Sequence, residues 1–182
     1  MVAFANTDGG RLLIGVRDNG SIAGIRTGEE IHMIETAARI YARPEVIFRS
    51  RVWNTGGKKV LEVKLEKGKM RPYYARSDDG NWLAWVRVGD ENILAPDILE
   101  DYWQRLPDSR GVVMEYGIPE RFFLRMLEKQ GRLQPSQYED MTGMSHSFTA
   151  RMIADFMLMG VVGIEFRDGE PYYYLKQASS DS

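Results

Sequence analysis

Cysteine is absent from the 182 residues, which excludes a disulfide framework and any thiolate metal site. Histidine is nearly absent. His32 and His146 are the only two, far apart and without the spacing or neighbouring carboxylates of a metal-binding pair. No apolar run approaches the roughly 20 residues that span a bilayer, and no leader-like segment opens the chain. A Gly-x-x-x-x-Gly-Lys-Ser/Thr run is missing, so P-loop chemistry lacks its machinery, and no Ser/His/Asp set or glycosidase-like pair of acids can be assembled. The expectation is a cytoplasmic protein with no cofactor, no metal and no membrane partner. A surplus of basic charge is also lacking: 24 Lys and Arg stand against 26 Asp and Glu, for a net charge of -2. Residues 1–107 carry 16 basic and 15 acidic side chains, and residues 108–182 carry 8 and 11. Strong nucleic-acid-binding modules usually show a basic excess or stripe, so composition argues against tight, autonomous DNA binding by the second half.

What is present is ordinary globular material, 43% hydrophobic and 27% charged, without internal repeats. Val2–Asn6 looks like the last turn of a helix, stopped at Gly9-Gly10. A helix end with no helix before it suggests that the numbering starts inside a domain. Arg11–Val16 and Ser21–Ile25 flank Asp18-Asn19-Gly20 and predict a hairpin. Ile31, Ile34, Ala38 and Tyr41 share one face of a helix over 29–41, ended by Pro44. A second hairpin is predicted from Val46–Trp53 and Lys59–Leu65, then strands over 72–76 and 82–88 and a short helix over 96–105. Few helices and locally paired strands make this half, residues 1–106, α+β.

A linker over 107–117 follows, centred on Pro107-Asp108-Ser109-Arg110-Gly111, and the texture then changes. Residues 118–178 read as an amphipathic helix over 119–130, a short helix over 135–142, a Gly143 turn, a third helix to Met159, and a hairpin turning at Asp168-Gly169. This is the order of a winged helix-turn-helix, and the tight Gly143 turn favours it over other three-helix arrangements. Phe148, Met152, Phe156 and Met159 form the expected core stripe of the third helix. Residues 179–182 are an expected disordered tail.

The run Ala3-Phe4-Ala5-Asn6-Thr7-Asp8-Gly9-Gly10, followed by Leu12-Leu13-Ile14-Gly15-Val16-Arg17-Asp18 and Gly20, closely resembles the Schlafen/AlbA-like DNA-binding domain. Pro72-Tyr73-Tyr74 and Val86-Arg87-Val88-Gly89 extend the resemblance over about residues 1–100. Members typically begin with a Glu-x-x-x-x-Glu-Phe-Lys segment and a helix, neither of which this sequence shows. The second half is similar in pattern to the winged helices found downstream in bacterial members that look like transcriptional regulators. The resemblance implies nucleic-acid contact. In Schlafen-type endoribonucleases a carboxylate at the position of Asp18 joins two upstream glutamates on a divalent metal. Alone, Asp18 cannot hold a hard cation, and as a turn residue it needs no further role.

Gly9 and Gly10 read as a helix stop and a close backbone approach rather than a phosphate turn. Asn6 and Thr7 are expected to satisfy backbone groups at the helix end. Arg49 and Arg51 alternate on one strand face, and Lys67 and Lys69 precede Pro72. Together they form either a basic patch suited to phosphates or a solvated, charge-protected edge. In the second half, Ser145, His146, Ser147, Thr149 and Arg151 lie on the outer edge of a recognition-type helix, with Arg167 at the wing tip. The reading that follows is a DNA-binding transcriptional regulator, a homo-oligomer in which two weak duplex contacts reinforce one another. The alternatives are a metal-dependent endoribonuclease and a protein-binding scaffold.

Overall fold

The structure, a computed structural model, describes residues 1–26, 28–108 and 113–177. The centre of the expected linker and the tail at 179–182 lie outside the described residues. The chain divides into two compact units, Met1–Ala95 and Pro96–Ser182. No helix among the described residues is long and apolar enough to cross a membrane.

The first unit is α+β with antiparallel sheets. It contains α1 (Val2–Asn6), β1 (Gly10–Ile14), α2 (Glu29–Arg39), β2 (Ala42–Arg43), β3 (Phe48–Thr55), β4 (Lys58–Leu65), β5 (Tyr74–Arg76), β6 (Trp82–Val88) and β7 (Glu91–Leu94). One sheet has the order β1-β4-β3 and the other β2-β5-β6-β7. The expected hairpin of Arg11–Val16 with Ser21–Ile25 forms only next to its turn, where the Arg17 N–H donates to the Ser21 carbonyl at 2.9 Å and the Ala23 N–H to the Gly15 carbonyl at 2.8 Å. Gly15 and Gly24 take φ of 93° and 85°, which reduces the pairing to a single Val16–Ile22 bridge and leaves β1 to pair with β4. Leu61, Val63 and Leu65 on one face of β4 join Val2, Ala5 and Ala38 in the core. On α2 only part of the expected stripe is covered: Ala38 is buried, Ile31 and Ile34 pack partly, and Tyr41 is exposed.

Asn6 ties this unit together. Its side-chain amide donates to the carbonyls of Tyr73 (2.8 Å) and Trp85 (2.9 Å), and its Oδ1 accepts from the Tyr73 N–H (2.8 Å). The helix-end role expected for it falls to Thr7 alone, whose hydroxyl donates to the Ala3 carbonyl at 2.7 Å. Gly10 is a close-approach position, since a Cβ there would lie 2.1 Å from the Phe4 ring.

The second unit contains α3 (Asp97–Arg105), a single 3-10 turn at Leu106–Asp108, α4 (Ile118–Gln130), β8 (Arg132–Leu133), α5 (Pro135–Thr142), α6 (His146–Leu158), β9 (Val162–Arg167) and β10 (Glu170–Leu175). Its sheet runs β8-β10-β9. α3, which by sequence closes the first domain at residue 106, belongs here. It buries Ile98, Leu99 and Trp103 and packs on α6, and Arg105 hydrogen-bonds Asp155. Phe123 meets Tyr138 edge-on at 5.4 Å and stacks with Phe156 at 6.1 Å. Gly143 caps α5 in the left-handed conformation, and Asp168-Gly169 turns the last hairpin with both φ positive. The core stripe of α6 is turned from expectation. Thr149, Met152, Ile153, Phe156 and Met157 are buried, whereas Phe148 and Met159 are 38% and 50% exposed.

Candidate nucleic-acid interface

Side chains alternate across a strand, so burying Leu61, Val63 and Leu65 sends Glu62 and Lys64 outward. Residues directly opposite in an antiparallel ladder share a face. The register pairs Arg11 of β1 and Arg49 of β3 with Lys64, and Leu13 and Arg51 with Glu62. Three cations, Arg11, Lys64 and Arg49, therefore stand in one row across the sheet. Arg51 lies one step along, and Trp53 one step further on β3. All five side chains are exposed.

Compensation on this face is partial. Glu62 pairs with Arg11 at 2.9 Å and accepts from the Trp53 indole N–H at 2.6 Å. Arg51 is stacked over the Trp53 ring, 3.9 Å from its centre. Arg49 reaches Glu66 at 3.4 Å, and Lys64 has no ion-pair partner among the described residues. Like charges directly opposite one another weaken a sheet. Arg11 and Arg49 are offset by these carboxylates, and Lys64, directly opposite both, is not.

Beside this row lies a cleft of about 300 Å³, bounded by β3, β4 and the 66–73 loop. The structure thus brings together three residues singled out from sequence, Arg49, Lys67 and Lys69, and adds Lys64. Lys67 pairs with Asp8 at 2.9 Å, and Lys69 has no ion-pair partner among the described residues. Arg51 is on the sheet face but not in the cleft. Arg11 and Lys64 were missed by sequence reasoning. Their alternation with Leu12 and Leu65 marks them as outward, but only the non-local β1–β4 pairing shows that they are neighbours.

In the second unit the candidates are less available. Ser145 caps α6, its hydroxyl accepting from the Phe148 N–H at 3.3 Å. His146 is held at both ring nitrogens, 2.7 Å from Asp97 and 2.9 Å from Glu139, and these bonds raise its pKa above the ordinary imidazole value. Thr149, contrary to expectation, is fully buried with its hydroxyl donating to the Ser145 carbonyl at 3.1 Å, so it cannot meet a phosphate. Ser147 is exposed. Arg151 is exposed but stands 3.9 Å from Asp101 and 3.8 Å from Asp155, and Arg167 pairs with Glu165 at 2.8 Å. Met144 and Phe148, an apolar pair at 36% and 38% exposure, flank this helix start.

Asp18 sits in an exposed turn closed by Gly20 N–H to Arg17 O (2.8 Å), with Asn19 Oδ1 accepting from the Ser21 N–H (3.0 Å). Among the described residues no group of three or more His, Asp or Glu side chains is arranged to hold a metal ion, at Asp18 or elsewhere.

Comparison with known proteins bears on the first unit. Among solved structures, the crystal structure of the DIP2311 protein from Corynebacterium diphtheriae aligns at 23% identity with a TM-score of 0.43. The alignment covers 57% of this chain and 18% of that one, so this chain spans less than a fifth of that protein's length. No curated protein matches. A family model described as "Schlafen, AlbA_2" matches residues 1–96. Over more than half of its length, the chain belongs to the Schlafen AlbA_2 family.

Proposed function

We propose that this protein is a nucleic-acid-binding regulator whose main polyanion contact is the outer face of the β1-β4-β3 sheet, with the second unit acting as a winged helix on duplex DNA. Family membership points to a nucleic-acid-related role. The observation that carries the reading is the Arg11–Lys64–Arg49 row, three cations in register on a sheet whose strands carry a single carboxylate, Glu62. Phosphates along a backbone release counterions when such a row meets them, and this gives affinity without base reading. The winged-helix assignment is supported by the order α4, β8, α5, α6, β9, β10 and by a sheet in which β10 lies between β8 and β9. Within it, Ser147, Arg151 and Arg167 are exposed on the duplex-facing edge, as are Ser145 and His146, whose side chains are engaged as the α6 cap and by Asp97 and Glu139. Two copies of the chain acting on adjacent half-sites would offset the low basicity of that edge.

The test is fluorescence anisotropy of a labelled duplex at low salt, where phosphate attraction is greatest. Arg11→Ala/Lys64→Ala/Arg49→Ala should bind at least about tenfold more weakly than the unaltered protein, and binding that survives the triple change would overturn the assignment of this face.

The start of α6 favours a different role for the second unit. It exposes Met144 and Phe148 while His146 is bonded to two acids, which suits a protein partner better than a phosphate. Arg151→Ala/Arg167→Ala separates the two roles. Loss of duplex affinity supports the winged helix on DNA, and undiminished affinity supports the protein-binding module.

A further inference from the structure

The cleft beside the cationic row has a composition that phosphate attraction alone does not explain. Ile47 and Met70 form its lips and are 75% and 63% exposed, although both are large apolar side chains. Phe48 and Tyr73 lie behind them. A site built only to hold a phosphodiester backbone has no use for an apolar mouth, and one built only for apolar ligands has no use for four surrounding cations. Lys64 and Lys69 have no carboxylate partner among the described residues, and Glu66 is the one acid in the lining.

The cleft is also held open by its own backbone. The Gly68 N–H donates to the Ala5 carbonyl at 2.7 Å, and a Cβ on Gly68 would lie 2.2 Å from the Tyr73 ring. The 66–70 loop is therefore drawn tightly onto α1 and Tyr73, and its two lysines are carried on a fixed frame. Pre-formed clefts with mostly apolar linings and a few convergent polar groups are the usual form of small-ligand sites. A volume of about 300 Å³ lies at the lower end of their range of ~300–1,000 Å³.

We propose that this cleft binds one nucleoside monophosphate unit, its base between Ile47 and Met70 and its phosphate on Lys64 and Lys69. The phosphate monoester of a free nucleotide carries up to two charges and three strong acceptor oxygens, which suits this cluster of cations, and the phosphodiester of a strand nucleotide offers one charge to the same lysines. A volume of about 300 Å³ suits a ligand of the size of one nucleotide. The ligand is either a free nucleotide or a nucleotide unstacked from a strand lying on the neighbouring sheet face. Lys64 and Arg49 serve both the cleft and that sheet face, and the strand as a source rests on the nucleic-acid reading above.

The experiment is an amide and methyl NMR titration of the full chain at low salt with AMP, adenosine and inorganic phosphate, followed by a short single-stranded oligonucleotide. AMP should shift Ile47, Gly68 and Met70 and bind more tightly than adenosine or phosphate. Lys64→Ala/Lys69→Ala should weaken it by at least about tenfold, as expected when a charge-assisted hydrogen bond is removed. Both lysines are exposed, so this variant should keep the spectrum of the folded protein. Arg11→Ala/Arg51→Ala, outside the cleft, should weaken the oligonucleotide and leave AMP affinity as it was. If the oligonucleotide moves the same three residues and AMP displaces it, the ligand is a strand nucleotide. If those residues respond only to AMP, it is a free one. AMP that leaves Ile47, Gly68 and Met70 unshifted, or binds no better than phosphate, would overturn the proposal even if the sheet face binds nucleic acid. AMP binding here with no polyanion binding would instead remove the reading of the sheet face and leave the cleft.

Discussion

Replacing Asn6 with alanine tests whether the family's Ala-Phe-Ala-Asn stretch is there for architecture. Three hydrogen bonds run from this one buried side chain to Tyr73 and Trp85, so the change leaves one N–H and two carbonyls without it. Tyr73 is 5% exposed, and water cannot easily supply a new acceptor for its N–H. A buried group left unsatisfied costs ~1–3 kcal/mol. The N–H has a single bond to lose and takes the upper part of that range, while carbonyls with a second lone pair take the lower part. The total is about 3–5 kcal/mol, a large share of the ~5–15 kcal/mol that holds a typical domain folded. Urea unfolding followed by tryptophan emission reports on this unit, since Trp53, Trp82 and Trp85 are in it and only Trp103 is outside.

Asn6→Asp sharpens the test. It keeps an acceptor for the Tyr73 N–H, loses both donors, and places a carboxylate where Asn6 is 1% exposed. Burial disfavours the charged form, so the new carboxyl should titrate above the usual ~3.9 and the variant should gain stability as pH falls through that raised value. If Asn6→Ala cost under about 1 kcal/mol, or Asn6→Asp showed no recovery in acid, the amide would not be the tie described.

Other expectations concern charge, packing and pH. Removing Arg11, Lys64 and Arg49 should flatten the dependence of log affinity on log salt by up to ~0.9 for each phosphate they neutralise, and an unchanged slope would show that these residues touch no phosphate. Gly10→Ala should destabilise the first unit by ~1–3 kcal/mol through overpacking against Phe4, and Phe4→Ala in the same chain should restore part of the loss in urea titrations. His146, raised by its bonds to Asp97 and then Glu139, contributes stability that is complete below its unfolded value of about 6.5 and fades as pH climbs through the higher folded value. Because the ring is half exposed, the contribution is on the order of 0.2–1 kcal/mol. His146→Gln should therefore cost more at about pH 6 than at about pH 9, and an equal cost at both would refute it.

Much of the fold is legible along the chain because it is local. The Asp168-Gly169 and Gly143 turns, the α2 span and the alternation in β4 each follow from a few adjacent residues. The glycines of the first motif are steric devices, as their sequence setting suggests, although the ring that demands Gly10 belongs to Phe4, six positions back. What escapes the sequence is set by partners far away in it. Asn6 bonds residues 67 and 79 positions on, His146 finds Asp97 49 positions earlier, and β1 passes over its nearest neighbour to pair with β4. The α6 error has a different origin. Phe148 outranks Thr149 in hydrophobicity, but a threonine hydroxyl bonded to the carbonyl four residues back is already satisfied and can be buried.

Charge shows most clearly how composition can hide a local surface. A near-neutral count argues against a polyanion surface, yet the sheet separates what the sequence mixes. β4 alternates over Leu61-Glu62-Val63-Lys64-Leu65, and the inward face of that run takes only the aliphatic residues. The outward face then combines its charges with those of two other strands. Pairing sets the sign of that face: the register puts Lys64 between two arginines and leaves Glu62 to be shared by Arg11 and the Trp53 indole. The alternation of β4 fixes which of its own side chains face outward, and the β3–β4 register then sets Arg49 beside Lys64 and Arg51 beside Glu62. The cationic row is thus a direct consequence of the strand pairing that folds the unit.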